Sequence, residues 1–152
     1  RVDAVGDLEG VIAEVFRELI PRHRDSWFWT YTKYEDREHD WDEFPNANIV
    51  RSIVPGIGFN FGHIAHVLNA YRHIVRALGE TPYICRCGID KEQHCKGCDG
   101  CKHHLYTLFG EHSTSYKIKK DPLYSDFVRI VEMQATHSAE DICKEIDKVL
   151  GR

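Results

Sequence analysis

Five of the six cysteines in this chain are crowded between Cys85 and Cys101. The first two form a Cys-x-Cys pair, and the other three form a Cys-x-x-Cys-x-x-Cys run interrupted by glycines. Histidines adjoin the run on both sides, at His94, His103 and His104. Zinc prefers four thiolate or imidazole ligands in a tetrahedron, and Cys-x-x-Cys supplies two thiolates from one tight turn. The spacing therefore predicts a metal site, within a metal-binding subregion at 83–104.

More candidate ligands are present than a single tetrahedral site needs. The predicted set is Cys85, Cys87, Cys95, Cys98, Cys101 and His103. A single Zn²⁺ would take the Cys-x-Cys pair with two cysteines of the run, and His103 or His104 could replace one cysteine. Two metals that share ligands would use a larger part of the set. A thiolate-rich shell is typical of structural zinc, because it donates too much charge to leave a strong Lewis acid.

A 4Fe-4S cluster is the alternative cofactor, since Cys-x-x-Cys-x-x-Cys with a distant fourth cysteine also holds cubane clusters. No proline follows a candidate ligand, and lysines and histidines surround the cysteines. These features favour zinc. A redox or disulfide role ranks third, because neighbouring cysteines gain little from bridging one another.

The periodicity of apolar residues predicts an α+β or α/β fold in a single globular domain, 1–152. We expect three packed helices at 8–20, 63–78 and 138–150, and a mixed β-sheet of about five strands. The strands are predicted at 27–34, 48–54, 81–84 and 126–134, with a β-hairpin at 105–109 and 115–119 after the Cys-rich metal-binding insertion. In the first helix, the predicted core-facing residues are Leu8, Val11, Ile12, Val15, Leu19 and Ile20.

Aromatic residues alternate along the first strand, at Trp27, Trp29 and Tyr31. This register predicts a sheet face packed against the core, and a stacking platform for nucleic-acid bases is the alternative. A glycine-rich turn at 55–62 precedes the second helix. We interpret it as a structural turn, and anion binding at the helix N-terminus is the alternative.

The formal net charge of −4 argues against a uniformly basic nucleic-acid binder, but not against a local basic patch. Such a patch is expected around the cysteines and hairpin, at Lys91, Lys96, Lys102, His103, His104, Lys117, Lys119 and Lys120. The sequence therefore predicts a zinc-stabilised binding or regulatory module that contacts nucleic acid or an acidic protein partner. Alternatives are an iron–sulfur protein, a scaffold subunit, and a nuclease that resembles the ββα-metal type in outline and uses His103 or His104.

Two further expectations concern location. No apolar run approaches the roughly 20 residues of a membrane-spanning helix, so we expect no membrane association. The cysteine pattern is that of a reducing compartment, and the first residues, Arg1 to Asp7, do not resemble a signal peptide. We expect an intracellular protein, cytoplasmic or nuclear.

Overall fold

The computed structural model describes residues 10–32, 43–86, 89, 98, 100–111 and 117–152. These contain five α-helices: α1 (Gly10–Arg22), α2 (Ile64–His73), α3 (Gly100–His103), α4 (Tyr124–Met133) and α5 (Ala139–Val149). A π-helical turn, Ile74–Leu78, extends α2, and a 3-10 turn covers Ile118–Lys120. The strands are β1 (Phe28–Thr32), β2 (Ala47–Arg51), β3 (Ile53–Val54), β4 (Gly58–Phe59), β5 (Phe61–Gly62), β6 (Tyr83–Ile84) and β7 (Thr107–Gly110).

The described strands form three small sheets, so the mixed α+β class is confirmed and the single sheet of about five strands is wrong. β1 pairs in parallel with β2, β3 pairs antiparallel with β4, and β7 lies between β5 and β6 with all three parallel. Gly56 and Gly58 have φ angles of 77° and 106°, which turn β3 back on β4 and end the ladder there. A backbone hydrogen bond from Arg51 N to Leu105 O, at 2.8 Å, joins β2 to the segment that precedes β7.

The predicted β-hairpin is wrong in the part that the structure describes. β7 forms as expected, but Lys117 is irregular and Ile118–Lys120 is a 3-10 turn. The partners of β7 are the parallel strands β5 and β6, which come from earlier in the chain. Residues 112–116 lie outside the described residues.

The predicted strand at 126–134 is also wrong, because residues 126–133 belong to α4. Apolar residues in both registers suggested a central strand, yet Phe127, Ile130 and Val131 fall at helical spacing and all three are buried. The turn after α4 holds the edge strand β6 in place: Ile84 N donates to Gln134 Oε1 at 2.6 Å, and Gln134 Nε2 donates to Ile84 O at 3.1 Å.

The main core is built around α2, and the predicted packed helix at 63–78 is confirmed. Ile64, Val67, Leu68, Tyr71 and Ile74 are buried against β6, β7, α4 and α5. The last helix is confirmed as α5. Its N-cap Ser138 accepts a hydrogen bond from Asp141 N, and Ile142 and Ile146 face inward. Burial also raises the pKa of Cys143 to about 11, which keeps this thiol protonated at neutral pH.

Helix α1 is present, but only part of the face predicted to pack inward is buried: Ile20 lies in a core and Leu19 is half-buried, while Leu8 lies outside the described residues. Ala13, Phe16 and Ile20 are buried with Phe28 in a second, smaller core. Val11 and Val15 are 74% and 47% exposed. The buried side of α1 faces β1, where the Phe16 and Phe28 rings lie edge to face with their centroids 6.5 Å apart.

Ion pairs to α5 should make the docking of this helix depend on pH. Hydrogen bonds from Arg76, in the π-helical turn, and from Arg72 of α2 hold the pKa of Asp147 below its usual range. A carboxylate with a lowered folded-state pKa stabilises the fold fully above its unfolded pKa, near 4, and loses that contribution as the pH falls below it. In Asp147→Asn we expect a smaller difference between the melting temperatures at pH 7 and pH 3 than in the unmodified chain. Lys119→Gln, at an exposed position without an ion pair in the described part, is the control and should keep the full difference.

Candidate metal centre

Helix α3, which carries Cys101 and His103, packs against β1, β2 and β6. Gly100 makes this approach possible, because a Cβ at this position would overlap the Tyr83 ring of β6. Asn48 of β2 fixes the other end: its side-chain amide donates to Cys101 O at 2.6 Å and to His104 O at 3.0 Å. The cysteine-bearing helix is thus held against both sheets by contacts that do not involve its thiols.

Two tyrosine hydroxyls lie at hydrogen-bond distance from two cysteine thiols. Tyr31 Oη is 3.0 Å from Cys101 Sγ, and Tyr83 Oη is 3.5 Å from Cys98 Sγ. Once a cysteine is deprotonated, the phenol is the only member of each pair that has a proton to donate. The arrangement therefore provides hydroxyl donors for thiolates at two of the predicted ligands.

Cys85 lies on the same side of β6 as these groups. Side chains alternate along a strand, so Tyr83 and Cys85 share one face and Ile84 faces the main core on the other. Burial, Cys98 and Cys85 together raise the pKa of Tyr83. Cys98 Sγ lies 3.5 Å from the Tyr83 hydroxyl, and Cys101 Sγ lies 3.0 Å from the Tyr31 hydroxyl.

The two histidines after the cysteine run have different surroundings. The His104 ring stacks on Tyr83 at a centroid distance of 5.4 Å, and its Nδ1 is 2.9 Å from Thr81 O. His103 is exposed, and the centroid of its ring lies 5.5 Å from the centroid of the Trp27 ring. His104 is oriented by its neighbours, whereas His103 is the more accessible of the two.

The structure does not assemble the complete predicted ligand set. Within the described residues, no three His, Cys, Asp or Glu side chains lie together as a group that could hold a metal. Cys87 and Cys95 lie outside those residues, at positions adjoining Cys85 and Cys98 in the chain. The ligand set Cys85, Cys87, Cys95, Cys98, Cys101 and His103 therefore stays a prediction, and four of its members are placed.

Two buried polar atoms near α3 have no hydrogen-bond partner among the described residues: Trp27 Nε1 and Thr107 Oγ1. Thr107 pairs with Tyr83 in the sheet register and so shares its face, and Trp27 contacts His103. A buried donor without an acceptor costs about 1–3 kcal/mol. Together with the two tyrosines, they make this region rich in donors, as suits sulfur ligands that carry negative charge around a cation.

Trp27, Trp29 and Tyr31 share one side of β1, and this side faces α3. The prediction that this side packs against the core is wrong. Phe28, Thr30 and Thr32 are the buried residues of this strand, and the three aromatic residues are half-buried. Sequence reasoning missed the contacts of Asn48 and Gly100 that hold α3, and the contact of the Tyr83 hydroxyl with Cys98. Tyr83 precedes Cys85 by two residues in a predicted strand, and this spacing could have indicated that the two side chains share a face.

The predicted basic surface is divided in the part of the chain that the structure describes. Lys102, His103 and His104 precede β7, whereas Lys117, Lys119 and Lys120 follow it, in and beside the turn whose Ile118 packs on Gly110. Lys91 and Lys96 lie outside the described residues. The basic side chains therefore form two groups, at opposite ends of β7.

Comparison with known proteins does not assign the chain to a family. No family model, curated protein or solved structure matches the chain. In addition, none of the described helices is long and apolar enough to cross a membrane. The function is therefore argued from the geometry of the site.

Proposed function

We propose that the chain is a zinc-stabilised binding module that contacts nucleic acid. Its metal ligands are drawn from Cys85, Cys87, Cys95, Cys98, Cys101 and His103. The observation that carries the proposal is the pairing of Tyr31 with Cys101 and of Tyr83 with Cys98, from strands far from these cysteines in the sequence. Neutral thiols gain little from a phenol donor, whereas metal-bound thiolates are regularly stabilised by such outer hydrogen bonds.

The role proposed for the metal is structural. Cys85 follows β6, while Cys98 and Cys101 belong to the segment that packs across β1 and β2. A cation shared by these thiolates would join the two parts of the fold. The main core around α2 contains no cysteine of this group, so the metal adds to a fold that already has a core.

The nucleic-acid contact is proposed from the charge of the lysines that follow β7. Lys117, Lys119 and Lys120 are exposed, and within the described residues they form no ion pair. Unpaired lysines can contact phosphates and displace counterions. Binding that weakens steeply with added salt supports this contact, and binding that is insensitive to salt argues against it.

An iron–sulfur cluster remains the alternative cofactor, because the same cysteine run suits it and hydroxyl donors also stabilise cluster sulfurs. The nuclease alternative depended on a hairpin directly after His103 and His104. In the described residues β7 pairs with parallel strands instead. The geometry therefore gives the nuclease no support.

The hydroxyl contacts lead to a prediction for metal affinity. In the double variant Tyr31→Phe and Tyr83→Phe, we expect zinc affinity to fall about 10-fold or more, since loss of an outer hydrogen bond typically costs 10–100-fold. Competition with a coloured zinc chelator measures the change. Tyr124→Phe, which removes a hydroxyl from a residue packed on the main core, is the matched control and should bind zinc as the unmodified chain does. Equal affinity in all three proteins would remove the support that the tyrosines give to the proposal.

A further inference from the structure

The His104 ring is oriented through one of its two nitrogens. Its Nδ1 lies 2.9 Å from Thr81 O, and a carbonyl oxygen can only accept a hydrogen bond, so the proton of the neutral imidazole is on Nδ1. The lone pair is therefore on Nε2. This arrangement is common at metal-bound histidines, where a backbone carbonyl holds one ring nitrogen and the other nitrogen binds the ion.

Tyr83 lies against both His104 and one of the predicted thiolate ligands. The rings of Tyr83 and His104 are stacked, with their planes 23° apart and their centroids 5.4 Å apart. The Tyr83 hydroxyl is 3.5 Å from Cys98 Sγ. Cys85 N donates to Leu108 O, which continues the ladder past β6, so the side chains of Tyr83 and Cys85 share a face. One tyrosine thus relates the imidazole to two of the predicted thiol ligands.

The backbone at His104 is held by residues of two strands. Asn48 Nδ2 donates to Cys101 O at 2.6 Å and to His104 O at 3.0 Å. Gly100 lies against the Tyr83 ring, where a Cβ would overlap it. Residues four apart at helical spacing share a face, so the α3 segment presents Gly100 and His104 together to Tyr83. The position of the imidazole therefore does not require a bound ion.

The neighbouring His103 lacks these features. It is exposed, and its ring is tilted by 54° against Trp27 with 5.5 Å between the centroids. Among the described residues, no hydrogen bond orients either of its ring nitrogens. Trp27 directly precedes β1, whereas Tyr83 is in β6, so the two histidines contact different strands.

We propose that His104, through Nε2, is the histidine ligand of the zinc site and that three cysteines of the predicted set complete it. The inference rests on the metal site of the proposed function, and it names His104 in place of His103. Three thiolates and one imidazole are one of the usual ligand sets of structural zinc. The competing role of His104 is structural, as a ring stacked on Tyr83. That role needs an aromatic ring but not the lone pair of Nε2.

Variants at position 104 separate the two roles. His104→Phe keeps a ring to stack on Tyr83 but removes the nitrogen. We expect its zinc affinity to fall about 100-fold or more, because loss of an outer hydrogen bond alone costs about 10–100-fold. His104→Cys loses the stack but supplies a thiolate, and it should recover most of the lost affinity. His103→Phe is the matched control at the adjacent position and should bind zinc as the unmodified chain does. Competition with a zinc chelator measures the affinities, and circular dichroism checks the fold of each variant.

Cobalt(II) in place of zinc reports the donor atoms. The thiolate-to-cobalt charge-transfer absorption should be about one third stronger in His104→Cys than in the unmodified chain, because three thiolates become four. A histidine with only a structural role would leave this absorption unchanged. In the zinc-loaded, unmodified chain, ¹⁵N spectra should show the His104 proton on Nδ1 and no proton on Nε2.

Four results would overturn the inference. These are full zinc affinity in His104→Phe, an equal loss of affinity in His103→Phe, unchanged cobalt absorption in His104→Cys, and a proton on His104 Nε2 in the zinc-loaded chain. Each of them leaves the metal site of the proposed function standing, because the unmodified chain still binds zinc. Failure of the unmodified chain to bind either zinc or cobalt would instead defeat the metal site itself, and the assignment of His104 with it.

Discussion

Removing the metal with a strong chelator at neutral pH is expected to lower the melting temperature of the chain by about 10 °C. The site would be worth several kcal/mol to folding, and for a domain of this size each kcal/mol shifts the melting temperature by about 2–4 °C. Hydrogen exchange should show where stability is lost. Protection should fall in α3, β1 and β2, which the site joins to β6, and less in α2, α4 and α5, which share the main core.

Cys143→Ala provides the matched control for this experiment. Cys143 is fully buried in α5, and its thiol belongs to the main core, outside the candidate metal centre. The variant should be somewhat less stable than the unmodified chain but should respond to the chelator by the same shift. If the chelator leaves the melting temperature of the unmodified chain unchanged, the metal has no structural role.

Gly100→Val is the substitution expected to have the largest effect on the site. The added Cβ would overlap the Tyr83 ring, so α3 must move away from β6 or Tyr83 must leave its place. Displacement of the ring separates the Tyr83 hydroxyl from Cys98, and displacement of α3 separates Cys101 from Tyr31. We expect a loss of about 1–3 kcal/mol in the free energy of unfolding from overpacking, and a fall in zinc affinity of at least 10-fold.

The control for Gly100→Val is Gly151→Ala, because a Cβ on Gly151 meets nothing within 4 Å. This control carries only the strain of a left-handed backbone, about 1–2 kcal/mol, and should keep full zinc affinity. A double-mutant cycle with Tyr83→Ala adds a second check. Removal of the ring should cost less in Gly100→Val than in the unmodified chain, since the clash is relieved. Additive costs would show that the two residues do not meet.

The sequence predicted the features that depend on neighbours in the chain. The helices expected at 63–78 and 138–150 rest on short-range apolar periodicity, and the structure confirms both. α4 was mistaken for a strand because apolar residues in both registers also fit a central strand. A run of apolar residues this short fits a helix as well, and in the structure Phe127, Ile130 and Val131 are buried in the main core from a helix.

Features that depend on contacts between distant parts of the chain could not be predicted from the sequence. Tyr31 and Cys101 are 70 positions apart, and nothing local connects them. The partner strands of β7 come from before the cysteine segment, whereas a hairpin would have used the residues after it. For α1, only part of the predicted face is buried, and the side with Phe16 packs against β1. The cysteine spacing located the candidate metal centre, but its hydroxyl donors came from the three-dimensional contacts.

The most direct test of the metal site is elemental analysis of the purified chain, with metal counted per polypeptide. The chain should contain one or two zinc ions and no iron, and Cys98→Ser with Cys101→Ser should reduce the zinc content while Cys143→Ala should not. Stoichiometric iron would assign the cysteines to a 4Fe-4S cluster instead. A chain that contains neither metal, after purification without chelators, would contradict the account.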